Sequence, residues 1–131
     1  MISDQEARAG LLTNQVIGAA IDVHRALGPG LLESTYRDCL CQELLLRGVP
    51  FKREVPVPLE YKGVEIQCGF RLDVLVADFV LVELKAVSRL LPIHEAQLLT
   101  YLRLRGLHVG LLINFHVTVL RNGIKRLVNN L

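Results

Sequence analysis

Three charged residues in the middle of the chain have the types and the spacing that metal-dependent hydrolysis requires. Asp73 is followed by Glu83 and then by Lys85, and the last two lie within the apolar run Val82–Val87. Because side chains alternate across a strand, Glu83 and Lys85 point to one face of it and Leu84 to the other. Neighbouring charges in an apolar strand cost free energy unless they are paired or bind something. Glu83 and Lys85 are therefore expected to form ion pairs or to bind a ligand.

The segment before this run predicts a hairpin that brings the two acids together. Strands are predicted on both sides of a short loop, Ala77 to Phe79, and counting back along them places Asp73 opposite Glu83. Opposite residues have Cβ atoms roughly 4.5–5.5 Å apart, so the two carboxylates repel each other unless a cation lies between them. A hard ion such as Mg²⁺ binds one or two carboxylates, with water in its other positions. Lys85 would orient or help deprotonate a metal-bound water for attack on a phosphodiester.

A structural ion-pair cluster is the alternative explanation of these residues, with Asp73 and Glu83 holding Lys85 protonated. Buried ion pairs are seldom more stable than apolar replacements, so a chain without a use for one is expected to lose it. Both explanations stay open on this pattern alone.

Polar residues on two predicted helices add to the case for a functional site. Glu33 shares a stripe of the second helix with Tyr36, and Gln97 and Tyr101 lie one turn apart on a stripe of the third helix that begins at Ile93. Ordinary roles fit them too: the helix dipole favours an acid such as Glu33 in a first turn, and Gln97 fits a core amide bonded to backbone. Taken with the charged triplet, they point to one end of a sheet.

Basic and histidine side chains supply further candidates. Arg71 would share the strand face of Asp73 and contact a phosphate, and an ion pair with Glu33 or Glu83 fits it equally well. His24 is predicted to be a satisfied core histidine. The remaining candidate contacts to a nucleic-acid backbone, which also fit a solvated face, are Lys52, Arg53, Arg103, Arg105, Lys125 and Arg126.

Periodicity and the positions of Gly and Pro predict the elements that carry these residues. In chain order they are a helix capped by Thr13, a break at Gly28-Pro29-Gly30, a helix from Glu33 to near Gly48, strands at Phe51–Tyr61, Val64–Val76 and Phe79–Val87, a helix at Pro92–Arg105, a strand at His108–Phe115, and a last hairpin of Val117–Leu120 with Ile124–Val128. Pro56 and Pro58 predict that the first strand lies at a sheet edge or is irregular.

Composition limits the class of protein. The 131 residues suit a single domain over 1–131, and 51% hydrophobic with 21% charged residues argues against disorder. A net charge of +2 does not by itself indicate nucleic acid, and 5% aromatic residues disfavour a single-strand binder built on stacking rings. Neither a signal peptide nor a membrane span is predicted. The three cysteines are odd in number and lack a CxxC spacing, which suits a reduced, cytoplasmic protein. The high apolar content points to a homo-oligomer in which another copy of the chain covers apolar surface, and buried strands alone would explain it as well.

The motifs together resemble a known superfamily. Asp73 followed by Glu83-Leu84-Lys85 resembles the PD-(D/E)XK nuclease signature, with Leu72 where that signature has proline. Gln97-x-x-x-Tyr101 is similar to the helix motif of the branch that contains the RecB nuclease domain. The stretch Gly30–Tyr36 resembles the hallmark of the bacterial GxxExxY protein family within that superfamily.

The resemblance implies an α/β, restriction-endonuclease-like fold, a mixed sheet flanked by helices with the core order αβββαβ. It implies a nuclease that hydrolyses phosphodiester bonds, with DNA as the expected substrate and Mg²⁺ or Mn²⁺ as cofactor. The implied catalytic residues are Glu33, Asp73, Glu83, Lys85 and Gln97. The acids Asp73, Glu83 and Glu33 would hold the metal, and the expected substrate contacts are Tyr36, Arg71 and Tyr101.

A catalytically silent protein of the same fold, serving as a scaffold or as a nucleic-acid-binding assembly module, is the second hypothesis. The intact acid-acid-lysine set argues against it, because a retired site is free to lose costly groups. A large apolar self-interface over the site would argue for it.

Overall fold

The structure, a computed structural model, describes residues 3–130, with Cys68 and Gly69 described by their backbone alone. Its elements are α1 (Asp4–Leu27), α2 (Glu33–Leu46), β1 (Phe51–Tyr61), β2 (Val64–Val76), β3 (Val80–Lys85), α3 (Pro92–Arg105), β4 (Val109–Asn114), a 3₁₀ turn (Leu120–Gly123) and β5 (Ile124–Val128). From α2 to β4 the order is αβββαβ, as predicted. The expectations for Met1, Ile2 and the Cys68 thiol lie outside the described residues.

Within residues 3–130 the strands form one five-stranded sheet in the order β1-β2-β3-β4-β5. The β3–β4 pair is parallel and the other pairs are antiparallel, so the sheet is mixed. Helices α1 and α2 pack on one face through a cluster that includes Val82 and Leu84, and α3 packs on the other face over Leu81. The prediction of a mixed sheet flanked by helices, with β3 covered on both faces, is confirmed.

Proline and glycine set several boundaries where the sequence predicted them. Strand β1 is an edge strand, and its pairing with β2 is irregular between Pro56 and Pro58, which cannot donate ladder hydrogen bonds. Helix α3 begins at Pro92 and ends before Gly106, whose φ of 65° closes the helix in the left-handed conformation that glycine favours.

The predicted inward stripe of α3 is wrong in part. Leu98 and Leu102 are the buried residues of this helix, whereas Ile93 is 64% exposed. Gln97 and Tyr101 flank the buried pair and are half-buried. The helix therefore packs on the sheet along a line one position away from the predicted stripe.

The predicted start of α1 at Thr13 is also wrong. The helix begins at Asp4, where the Ser3 side chain accepts a hydrogen bond from the Glu6 amide at 3.1 Å. Thr13 lies inside the helix, and its hydroxyl donates to the Gly10 carbonyl at 3.1 Å. Ser3 combines a capping hydroxyl with acids in the following turn, which is the stronger start signal.

The predicted last hairpin is replaced by a different pairing. Residues 117–119 form no strand, and β5 pairs antiparallel with β4. The chain returns through the 3₁₀ turn, whose Gly123 lies so close to Asn114 that an added Cβ would be 2.3 Å from its carbonyl oxygen. That approach directs β5 back along β4.

Candidate active site

Asp73 and Glu83 contact each other at the open end of the β2–β3 hairpin. The predicted register is present, with Val76 opposite Val80. The Asp73 amide donates to Glu83 Oε1 at 3.2 Å, and the Leu84 amide donates to Asp73 Oδ2 at 2.8 Å. Side chains thus replace the backbone ladder at this point, which brings the two predicted acids together.

The strand around Asp73 is locally irregular. The β1–β2 ladder omits the pair that Asp73 would make with Glu54, and Glu54 has a φ of 54°, in the left-handed region. Leu72 packs on the α3 side of the sheet and Val74 on the opposite side, so the usual alternation is interrupted between them. Strained backbone in a non-glycine residue is concentrated at functional sites in proteins.

Glu83 is an acid in a nearly dry environment, with 4% of its surface exposed. Burial raises the pKa of its carboxyl to about 8, and the charge of Asp73 adds to the increase. The Asp73 amide and the Lys85 ammonium act in the opposite direction without cancelling it. At neutral pH the metal-free protein therefore keeps Glu83 protonated.

This donor set fits a divalent cation held by two carboxylates. The Asp73 and Glu83 carboxylates have lone pairs left for a cation, because the two hydrogen bonds described above use one lone pair each, on Asp73 Oδ2 and on Glu83 Oε1. The retained proton of Glu83 marks a position where negative charge is not fully offset by the protein. A divalent cation would replace that proton, and Mg²⁺ commonly binds through one or two carboxylates.

Lys85 lies at the end of β3, half-buried and opposite Asn114 in the β3–β4 register. Lys85 follows Glu83 by two residues on β3, and the charge of its ammonium lowers the pKa of the Glu83 carboxyl. The chain leaves β3 directly afterwards, and the Ala86 amide donates to Glu33 Oε1 at 3.3 Å. Lys85 and Glu33 are thus brought to the same end of the sheet, from β3 and from the first residue of α2.

Glu33 corrects the sequence prediction in one respect. It was expected among buried stripe residues, but it is exposed at the start of α2. Among the described residues, no group of three or more His, Cys, Asp or Glu side chains forms a potential metal cluster. The three predicted metal ligands are therefore not assembled together, since Glu33 is engaged with backbone while Asp73 and Glu83 contact each other.

The Tyr36 side chain holds the connection between α1 and α2, which precedes Glu33, by hydrogen bonds to its backbone. It is fully buried and stacks on Phe115, with 4.4 Å between ring centroids. Its hydroxyl donates to the Gly28 carbonyl at 2.6 Å and accepts from the Leu31 amide at 3.1 Å. A contact between Tyr36 and substrate would require this connection to open, so the geometry gives the residue a structural role.

Replacing Tyr36 by phenylalanine is expected to lower the free energy of unfolding by about 1–3 kcal/mol, because the Gly28 carbonyl and the Leu31 amide each lose a hydrogen bond that contributes about 0.5–1.5 kcal/mol. Urea unfolding measures the change. The matched control is Tyr61→Phe, because Tyr61 is 57% exposed and should change stability by less than about 0.5 kcal/mol. Equal stability of the two variants would contradict the assigned role of the Tyr36 hydroxyl.

Arg37 is a site residue that the sequence analysis missed. Its guanidinium donates to Asp73 Oδ1 at 3.1 Å and lies 3.3 Å from Glu54 Oε1. Its buried Nε is without a hydrogen-bond partner among the described residues. The available signal was a basic residue directly after Tyr36, but the contact itself depends on how α2 packs across β1 and β2.

Asn114 is a second residue that was missed. It is buried, its Oδ1 accepts from the Val87 and His116 amides, and its Nδ2 donates to the Val87 carbonyl at 2.9 Å. These bonds hold the chain where it leaves β3, two residues after Lys85. A polar residue ending the apolar run of β4 was the signal that could have found it.

The other predicted residues lie around this centre. Tyr101 stacks on Phe70 at 4.4 Å, which ties α3 to β2. Arg71 is exposed and donates to the Glu54 carbonyl at 3.4 Å, so the predicted ion pair with Glu33 or Glu83 is not formed. The Nε2 of His24 donates to a backbone carbonyl at 2.8 Å, which confirms a satisfied core histidine.

Comparison with known protein families matches residues 11–127 to the PD-(D/E)XK nuclease superfamily. The match covers most of the chain, so the protein belongs to this superfamily, and the mixed α/β sheet is its restriction-endonuclease-like fold. Searches of curated proteins and of solved structures give no match. No described helix is long and apolar enough to cross a membrane.

Proposed function

We propose that the protein is a metal-dependent nuclease that hydrolyses phosphodiester bonds of nucleic acid, with Mg²⁺ or Mn²⁺ as its cofactor. The observation that carries the proposal is the contact between Asp73 and the buried, proton-retaining Glu83. Two acids in this arrangement lower the stability of the metal-free protein, which is understandable if the pair serves to bind a cation. Membership of a nuclease superfamily supports the same activity.

Each residue has a proposed role. Asp73 and Glu83 bind the cation, which when bound would supply an activated water and offset charge on the phosphate. Lys85 orients the attacking water through its ammonium donors. Glu33 acts as a further acid at the same end of the sheet, and Gln97 supports the site from α3.

The finer assignments are proposals based on sequence motifs. We propose that the chain is a member of the GxxExxY family in the RecB-like branch and that its substrate is DNA. Arg71 and Tyr101 are the proposed substrate contacts, with Tyr36 acting through the connection it closes. A single domain over 1–131, self-association and a cytoplasmic location complete the proposal.

Lys85→Ala tests the function. We expect wild-type protein to cut members of a mixed DNA and RNA panel in Mg²⁺ or Mn²⁺ and to stop when EDTA is added. Lys85→Ala is expected to cut about 10²–10⁴-fold more slowly, the usual size of a positioned proton-transfer contribution. Lys62→Ala is the matched control, because Lys62 is exposed in the turn that leads into the start of β2, whereas Asp73 lies near the end of that strand.

The result separates the two hypotheses when calorimetry with Mn²⁺ is added. Metal-dependent cutting that is lost in Lys85→Ala and kept in Lys62→Ala establishes the nuclease. A wild-type protein that neither cuts the panel nor binds Mn²⁺ through Asp73 and Glu83 would make the silent scaffold the better account.

A further inference from the structure

The guanidinium of Arg37 forms an ion pair with Asp73, one of the two proposed metal ligands. Arg37 lies between Asp73 and Glu54, with its two terminal nitrogens 3.1 Å and 3.3 Å from their carboxylate oxygens. The side chains of Arg37 and Asp73 are 21% and 17% exposed, so solvent screens this contact less than it would at the surface. A positive charge therefore stands against Asp73 where a bound cation would also act.

The surroundings of Arg37 are built to keep it there. Glu54 reaches it from β1, at the one position of that strand with a positive φ. That backbone conformation costs free energy in a glutamate, and the carboxylate it delivers lies beside Arg37. Glu54 therefore provides a second partner, to which the guanidinium can stay bound if it leaves Asp73.

The hydrogen bonding of Arg37 is incomplete. Its Nε is buried and has no partner within the described part of the chain, which costs free energy in the arrangement seen here. Because this donor is unsatisfied, releasing Arg37 from Asp73 costs less than it would for a fully bonded arginine. The contact is thus suited to exchange.

We propose that Arg37 is the resident cation of the metal-free site, which a divalent ion displaces from Asp73 while Glu54 retains the guanidinium. The inference rests on the proposed function, because it takes Asp73 as a metal ligand. Arg37 is a positioning residue in this account: it offsets the charge of Asp73 before the ion arrives, and it competes with that ion.

Two substitutions with opposite expected effects on Mn²⁺ affinity test the inference. Calorimetry on the full chain measures that affinity. Arg37→Gln removes the competitor and is expected to tighten Mn²⁺ binding roughly tenfold, the size that Coulomb's law in water gives for a unit charge about 5 Å from a divalent ion. Glu54→Gln leaves Arg37 paired with Asp73 and removes the second carboxylate that would retain the guanidinium, so it is expected to weaken binding roughly threefold. In the double variant the Glu54→Gln effect should vanish.

Arg53→Gln is the matched control, because Arg53 lies next to Glu54 on β1 and pairs with Asp38. Loss of that exposed charge should change Mn²⁺ affinity less than twofold if the effect of Arg37 comes from its contact with Asp73. An Arg37→Gln protein that binds Mn²⁺ no more tightly than wild type overturns the inference. If wild type binds Mn²⁺ in that case, the proposed function still stands.

Failure of the proposed function gives a different pattern, in which neither wild type nor Arg37→Gln binds Mn²⁺. A second measurement uses wild-type protein and so does not depend on whether a variant folds. The ¹⁵N resonance of the Arg37 Nε–H is followed as Mg²⁺ is added. Displacement predicts a shifted signal and faster exchange with water. A signal that is unchanged when Mg²⁺ is saturating overturns the inference.

Discussion

Glu83→Gln is expected to stabilise the metal-free protein at neutral pH while removing cation binding and reducing cleavage below detection. Burial and the charge of Asp73 raise the pKa of Glu83 to about 8, whereas an exposed glutamate titrates near 4.5. The folded state therefore binds more protons than the unfolded state between these values. A glutamine fills the same space, still accepts the Asp73 hydrogen bond and carries no proton equilibrium.

The sign of the pH dependence follows from this difference. The contribution of Glu83 to stability is fully present below about pH 4.5 and is lost as the pH rises through about 8. In the middle of this window the wild-type free energy of unfolding should fall by about 1.4 kcal/mol per pH unit relative to Glu83→Gln. The advantage of the variant is thus largest near pH 8.

Urea unfolding in EDTA from pH 5 to pH 8 measures the effect, with Glu95→Gln as control because Glu95 is a partly exposed acid paired with Lys125. Adding Mn²⁺ at about one hundred times its dissociation constant should raise wild-type stability by about 2.7 kcal/mol and leave Glu83→Gln unchanged. Parallel pH profiles for wild type and Glu83→Gln would contradict a buried, proton-retaining Glu83.

Asn114→Ala is expected to be the most destabilising of the proposed substitutions. It leaves the amide and carbonyl of Val87 and the amide of His116 without their partner. Each of these three hydrogen bonds contributes about 0.5–1.5 kcal/mol, so a loss of about 1.5–4.5 kcal/mol follows. Cleavage should fall as well, because the chain that follows Lys85 is no longer held.

Chemical unfolding at one pH suffices for this comparison. Asn129→Ala is the control, because the Asn129 side chain donates one hydrogen bond, to the Leu107 carbonyl, near the end of the chain. A loss of about 1 kcal/mol or less is expected for it. If Asn114→Ala is no less stable than Asn129→Ala, the segment after Lys85 is held by other contacts.

Local signals predicted those parts of the fold that local chemistry decides. The bounds of β1 and α3 agree with the prediction because proline and glycine stand at or near their ends. The contact between Asp73 and Glu83 was predictable because a hairpin register depends on its own loop. Both are short-range effects that one stretch of sequence contains.

Contacts between distant elements were not predictable in the same way. Arg37 reaches Asp73 because α2 packs across β1 and β2. The hydrophobic periodicity of α2 shows which face of the helix is buried, but it does not show which strands that face covers. Strand β5 has the predicted bounds, but its partner is β4, which the close approach of Gly123 decides. The buried stripe of α3 was misplaced because two adjacent rows of residues on this helix could have faced the sheet. The row with Leu98 and Leu102 is buried, and the predicted row with Gln97 lies beside it.

The Tyr36–Phe115 stack has a consequence for how the protein opens. The Phe115 amide bonds the Lys85 carbonyl at 2.9 Å, and the Tyr36 hydroxyl bonds the connection that leads to Glu33. These contacts join the start of α2 and the end of β3 into one cooperative unit, so their amides should exchange with solvent water together. Glu33 and Lys85 therefore keep their relative position through any fluctuation that leaves this aromatic pair closed.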